Sequence, residues 1–186
     1  MVQYGSEIMV ARRQIVGNLS AASSRIHKQM TGGSEDLRLS YRTTVPFFVK
    51  EKEMDRAYHK RLVEKREYEI LQGITLIGPH RDDNSIYSNS IDLCRYGSQG
   101  QSRTCTLSLK LAELELMKSF LREYPITLFD DVMSELDSER RRSFLNLLDR
   151  NVQSFITTTE LGVLDSIKER ASIFDIERRE RAQWHT

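Results

Sequence analysis

Apolar residues near the start of the chain recur three or four positions apart: Tyr4, Ile8, Ala11, Ile15, Leu19, Ala22 and Ile26. That spacing predicts a long amphipathic helix with these side chains on its buried face, stopped at Thr31-Gly-Gly33 by glycine. Met1 lies almost on the first turn, with no preceding strand or cap, so the chain is expected to begin inside a longer protein. Leu37, Leu39 and Tyr41 then alternate with Arg38, Ser40 and Arg42 up to Pro46, which reads as a half-buried strand. The span 50–71 lacks proline and glycine and carries Met54, Ala57, Tyr58 and Leu62 at helical spacing, predicting a second helix. Ile74 to Ile77 is expected as a short strand ended by Gly78-Pro79, and Ser88-Asn-Ser90 as the turn of a hairpin between Ile86-Tyr87 and Ile91-Asp-Leu93.

The second half changes rhythm. Residues 101–122 predict a helix packed on more than one side, with Leu107, Leu109, Leu111, Leu114, Leu116 and Phe120 spread around it. Strands at Ile126–Phe129, Val152–Thr157 and Ser172–Ile176 alternate with helices at Ser138–Leu148 and near Leu161–Lys168, before a charged tail at Glu177–Thr186. Alternation of this kind implies an α/β layer with a parallel sheet. The expected division is a helical lobe over 1–72 and a second subdomain over 73–186.

Composition narrows the class. With 39% hydrophobic and 30% charged residues, and no apolar run near the roughly 18 to 20 residues needed to span a bilayer, the chain is not expected to be a membrane protein. It shows no signal peptide, and Cys94 and Cys105 lack metal-ligand spacing; both points fit a reducing, cytoplasmic setting. A net charge of +1 leaves nucleic-acid binding to local patches.

Chemistry concentrates at Asp130-Asp131, directly after the apolar strand 126–129. Ligands of open α/β sheets collect beyond the carboxyl ends of strands. Neighbouring residues leave a strand in opposite directions, so the two acids have different tasks. Asp130 suits a Mg²⁺ ligand and Asp131 a group that polarises an attacking water; acids beginning a turn are the plain alternative. Ser134-Glu-Leu-Asp137 adds a further acid and a hydroxyl before the next helix, where Asp137 can also serve as N-cap. Upstream, Tyr96-Gly-Ser-Gln-Gly-Gln101 runs into a helix N-terminus, whose amides and dipole favour an anion such as a terminal phosphate. No Gly-Lys dipeptide occurs, so a GxxxxGK[ST] phosphate loop is absent from this sequence.

Gly78-Pro-His-Arg-Asp-Asp83, Tyr96-Gly-Ser-Gln-Gly-Gln-Ser-Arg-Thr104, Leu111-Ala-Glu-Leu-Glu115, Phe129-Asp-Asp-Val-Met-Ser-Glu-Leu-Asp137 and Thr157-Thr-Thr159 follow one another. In that order they resemble the C-terminal part of the RecF family of SMC/ABC-like ATPases, to which Thr31-Gly-Gly33 also corresponds. The resemblance covers nearly the whole chain and about the second half of a full-length family member. It implies the C-terminal part of an ATPase head, with a helical lobe and a parallel-sheet core incomplete without an N-terminal lobe. It makes Ser98, Gln99, Gly100 and Gln101 the signature motif, which contacts the γ-phosphate of ATP bound to the opposite subunit. Asp130 becomes the Walker B magnesium ligand, Asp131 the catalytic acid, and Ser134 to Asp137 the D-loop. Thr158 and Thr159 fall at the switch position, where ordinary ABC ATPases have histidine; a hydroxyl orients water but is a poor proton acceptor, which suits slow turnover.

The same resemblance implies ATP and Mg²⁺ as ligands, an ATP-dependent homodimer, DNA near single-strand gaps as target, RecO- and RecR-like mediators as partners, and help in loading RecA. Without the phosphate-loop lysine, the chain alone is expected to hydrolyse ATP negligibly. Arg81, Arg12, Arg13 and Lys28 are candidate phosphate or DNA contacts, although interleaved acids make a solvated face an equal reading. Two further classes stay open: a nonenzymatic module that docks repair partners, and a stand-alone metal-dependent phosphohydrolase using Asp130, Asp131 and Asp137.

Overall fold

The first periodic segment folds, in the computed structural model, as helix α1, Val2–Met30. The structure describes residues 2–148, 152–160, 162, 167–174 and 176. The buried face of α1 follows the predicted stripe only toward its C-terminal end, where Ile26 is buried and Leu19 and Ala22 pack against the core. Tyr4 is 68% exposed and Ile15 51%, whereas Ser6, Met9, Ser23, Ile26, His27 and Met30 are buried. Small and polar residues let neighbouring elements approach closely, and their groups are satisfied where they lie. Ser6 Oγ donates to Val2 O at 3.1 Å, Ser23 Oγ to Ser20 O at 3.3 Å, and Ser20 Oγ accepts from Leu39 N at 3.0 Å. Hydrophobic periodicity alone has no access to such a face.

Strand β1, Leu37–Arg42, buries Leu37 and Leu39 as the alternation predicts. It pairs antiparallel with β2, Asp83–Ser88, which pairs with β3, Ile91–Asp92, through a two-residue turn at Asn89 (φ 45°) and Ser90 (φ 71°). The expected hairpin is therefore present, and β2 joins it to a strand that precedes residue 72. Helix α2, Glu51–Gln72, lies between β1 and β2 in the chain and ends on Gly73 in the left-handed conformation. Met54 and Tyr58 anchor it against Met9, Val45 and Ile77. The segment 74–77 is irregular rather than a strand: Glu69 Oε1 accepts from Ile77 N at 3.2 Å, so a side chain takes an amide that a ladder would have used.

A short helix α3, Leu93–Tyr96, leads to α4, Gln99–Leu121. The first half of α4 is buried on two sides, through Leu107 and Leu111 toward the main core and Cys105 toward Leu37, Leu39 and Leu93. Its end departs from the expectation, because Phe120 and Leu121 are exposed. Strand β4, Thr127–Phe129, pairs in parallel with β5, Ser154–Ile156, and α5, Ser138–Leu147, packs beside them. Phe129 and Phe144 meet edge to face at 5.1 Å between ring centroids, within a core that also holds Ile26, Met30, Met133 and Leu145. Leu128 is 77% exposed and Phe155 52%. Parallel strands are ordinarily covered on both faces, so among the described residues the outer side of the α/β core is left open, in keeping with what the resemblance implied.

Residues 172–174 and 176 are not in strand conformation, and Lys168–Arg170 forms a single 3₁₀ turn. Most of the helix expected near 161–168, and the tail 177–186, lie outside the described residues. Among the described residues no helix is long and apolar enough to cross a membrane.

Candidate functional site

Asp130 follows β4 directly, and the register that pairs Phe129 with Ile156 brings Thr157 alongside it. Thr157 Oγ1 donates to Asp130 Oδ1 at 2.6 Å and accepts from Asp131 N at 2.9 Å, while Thr157 N donates to Phe129 O at 3.0 Å. One hydroxyl thus fixes the first acid and the backbone of the second. Asp131 adopts φ 48°, ψ 22°, a left-handed geometry that Asp tolerates better than most residues. This bend sends the chain into the 3₁₀ turn Val132–Glu135, where Ser134 Oγ donates to Asp131 O at 2.9 Å. Both carboxylates are exposed, and neither forms an ion pair among the described residues.

Helix α4 begins with a capping box. Ser98 Oγ accepts from Gln101 N at 3.2 Å and Gln101 Oε1 from Ser98 N at 3.1 Å. Ser98 and Gln101 therefore satisfy each other, while the amides of Gln99 and Gly100, which the helix cannot pair internally, point out of its end. Asp137 caps α5 by accepting from Arg140 N at 2.9 Å. Two arginines tie these loops together. Arg103 of α4 lies 3.7 Å from Glu135, and Arg140 lies 3.5 Å from Asp137, with its Nη1 3.5 Å from where a Cβ on Gly100 would stand. The loops 98–101 and 134–137, distant in sequence, form one edge.

The residues expected at the switch position divide. Thr158 closes a local turn, accepting from Glu160 N at 3.2 Å, and Thr159 is exposed. Thr157, which is not among the expected site residues, makes the contacts to the two acids; its place immediately after an apolar strand is the signal that could have found it. Among the described residues no three His, Cys, Asp or Glu side chains converge to hold a metal, so Asp130, Asp131 and Asp137 do not form a carboxylate cage. A single carboxylate beside substrate phosphates is nonetheless a common way of holding Mg²⁺, and exposed Asp130 suits it.

The Gly78–Asp83 motif is a scaffold. Asp82 Oδ1 accepts from Thr44 N at 2.8 Å and Thr44 Oγ1 at 3.2 Å, and its Oδ2 accepts from Tyr41 Oη. Gly78, at φ 137°, leaves no room for a Cβ, which would stand 2.5 Å from Tyr58 Oη. The candidate basic contacts are engaged within the chain. Arg12 donates to Pro79 O, Arg13 stacks 4.2 Å from the Phe47 ring, Arg81 Nε donates to Thr75 O at 2.6 Å, and Lys28 pairs with Asp36 at 2.9 Å. Arg12 and Lys28 stand roughly 24 Å apart along α1 at about 1.5 Å per residue, so these cations do not make one patch.

No family model matches the chain. Curated proteins do. It is 44% identical over 170 residues to the DNA replication and repair protein RecF of Halothermothrix orenii, covering 90% of this chain and 45% of that protein. It is 38% identical to RecF of Lactococcus lactis subsp. lactis and 41% to RecF of Lysinibacillus sphaericus, covering 95% of the chain in each case. Along nearly its whole length the chain is RecF-like. A solved structure of the recombination mediator protein RecF with ATP in the RecFOR pathway superposes with a TM-score of 0.75 at 33% identity, covering 86% of this chain and 42% of that one. The corresponding RecF–ATPrS structure gives 0.74 over 87% and 43%. The RecF-like chain thus has an α/β fold matching part of the solved RecF structures, and it spans about half the length of the curated relatives it matches.

Proposed function

We propose that this chain is the C-terminal share of a RecF-like, ATP-dependent DNA repair protein, supplying one wall of an ATP site that closes between two subunits. The observation that carries the reading is the convergence of Asp130, Thr157 and Asp131 at the carboxyl edge of the parallel pair β4–β5, a ligand-facing edge in α/β proteins. The RecF–ATP structure supports ATP as the nucleotide, and the relatives' names support DNA replication and repair as the setting.

In this reading Asp130 holds Mg²⁺ and Thr157 fixes the orientation of its carboxylate. Bound Mg²⁺ supplies charge neutralisation at the β- and γ-phosphates. Asp131 orients and polarises the attacking water, with Thr158 and Thr159 following on the same edge. The end of α4, with Ser98, Gln99, Gly100 and Gln101, presents amides to the γ-phosphate of ATP held by the opposite subunit, and Asp137 with its loop crosses the interface. The nucleotide-facing residues all follow residue 73, in the proposed second subdomain, while the proposed helical lobe before it supplies α1, α2 and the strand β1 that joins the hairpin β2–β3. ATP then acts as a dimerisation ligand and its hydrolysis as release. DNA, RecO- and RecR-like mediators and help in RecA loading belong to the assembled protein, with Arg12, Arg13, Lys28 and Arg81 as phosphate contacts once their internal partners are exchanged.

The test is Mg²⁺-dependent ATP hydrolysis by the chain alone and after addition of the separately produced nucleotide lobe of a RecF relative. Activity only in the mixture, lost with Asp131→Asn, is expected. Hydrolysis by the chain alone would instead support a stand-alone phosphohydrolase. Association of the two lobes without hydrolysis would favour an interaction module.

A further inference from the structure

The Thr31-Gly-Gly33 turn is not used by the site described above, yet it delivers a carboxylate to it. Gly32 at φ 60° and Gly33 at φ 84° close α1, with Gly33 N donating to Lys28 O at 2.7 Å. The chain is thereby turned back so that Glu35 lies over the end of the helix. The Glu35 side chain is mostly buried and meets three elements. Its Oε2 accepts from Ser88 Oγ of β2 at 2.8 Å and lies 3.4 Å from His27 Nε2, while Oε1 lies 3.7 Å from Arg140 Nη2. His27 is itself fully buried, its Nδ1 2.9 Å from Ser108 Oγ of α4. A neutral imidazole with its proton on Nε2 donates to Glu35, and its Nδ1 then shares the Ser108 hydroxyl proton with Thr104 O, 2.8 Å from Ser108 Oγ.

Arg140 uses its other nitrogen on the opposite side. Nη2 faces Glu35, whereas Nη1 faces Asp137 and lies beside Gly100, 3.5 Å from where a Cβ there would stand. A planar two-armed guanidinium can hold both ends at once; a lysine ammonium on a flexible stem cannot. We propose that Glu35 and Arg140 form a clasp that positions the loop 98–101 against the loop 134–137, coupling the α1–hairpin body to the edge that faces nucleotide. Both are positioning residues, and the functional half of the inference rests on the ATP-site reading above.

Backbone hydrogen exchange of the whole chain, read by mass spectrometry, tests the clasp directly. Glu35→Gln, which is nearly isosteric, is expected to speed exchange about threefold or more at 98–102 and 134–137, although residue 35 is paired to neither loop. Exchange in β1 and the middle of α4 stays at its original rate. Arg140→Lys has the same effect, and the double variant adds nothing further. Unchanged exchange at 98–102 in Glu35→Gln, additive effects in the double variant, or acceleration spread over the whole chain would each overturn the clasp. In the protein reassembled with a nucleotide lobe, Glu35→Gln is expected to raise the ATP concentration needed for self-association. Unaltered association despite faster loop exchange would overturn the coupling. If the unsubstituted assembly fails to associate with ATP, the ATP-site reading falls instead, and the exchange rates still decide the clasp.

Discussion

The loop 78–83 and the edge 130–131 are equally distinctive as strings, and both end in a pair of aspartates. In the first, polar atoms are spent inward: Asp82 accepts from Thr44 and Tyr41, Arg81 donates to Thr75 O, and His80 Nε2 lies 2.9 Å from Thr75 Oγ1. In the second, one hydroxyl fixes Asp130, and the Asp131 side chain caps nothing. A carboxylate saturated with internal donors is structural, and one held in place but left open is available to a ligand. Distinctiveness of sequence does not separate the two; hydrogen-bond saturation does.

The largest effect expected from this contrast is on turnover. Asp131→Asn should lower hydrolysis by the reassembled site at least about a hundredfold while leaving the melting temperature of the chain unchanged. Asp82→Ala should do the reverse. Stranding Thr44 N and Tyr41 Oη costs about 2–4 kcal/mol, seen as a melting temperature lowered by roughly 5–15 °C. A fold that tolerates Asp82→Ala would break the distinction.

Thr157→Val should reduce hydrolysis about tenfold by loosening Asp130, and Thr158→Val should reduce it less; the opposite order would return the switch position to Thr158. The smallest effect is a pH slope. Burial holds the His27 pKa below its ordinary value of 6.5, against the pull of Glu35. The unfolded chain therefore takes up the proton first. Stability from neutral His27 is complete above about pH 6.5 and is lost as pH falls from there through the lower folded value. Denaturant titrations across that window should show the slope, and His27→Gln should flatten it.

Much of this was legible from residue order. The first two helices, the strand at Leu37, the hairpin turn, the helix that follows the loop 96–101 and the strand ending at Asp130 follow from periodicity, caps and turn residues that act over a few positions. Reading failed where a distant partner decided the outcome. Tyr4 and Ile15 keep a perfect helical spacing yet face solvent, because α1 packs through Ser23 and His27. Ile74–Ile77 has strand composition, but the Glu69 carboxylate takes the amide of Ile77. Thr157, rather than its neighbours, meets the acids because the parallel register sets it there.

By itself, then, the sequence determined most of the elements, the family resemblance and the lack of a Gly-Lys phosphate loop in these residues, since these depend on local stereochemistry and residue identity. Only the tertiary structure decided which acids are spent on the scaffold, which threonine attends Asp130, and that Glu35 reaches Arg140 across more than a hundred residues of chain. Those outcomes depend on which groups meet after folding, and a hydrogen bond or ion pair between remote residues leaves no periodic trace in the chain.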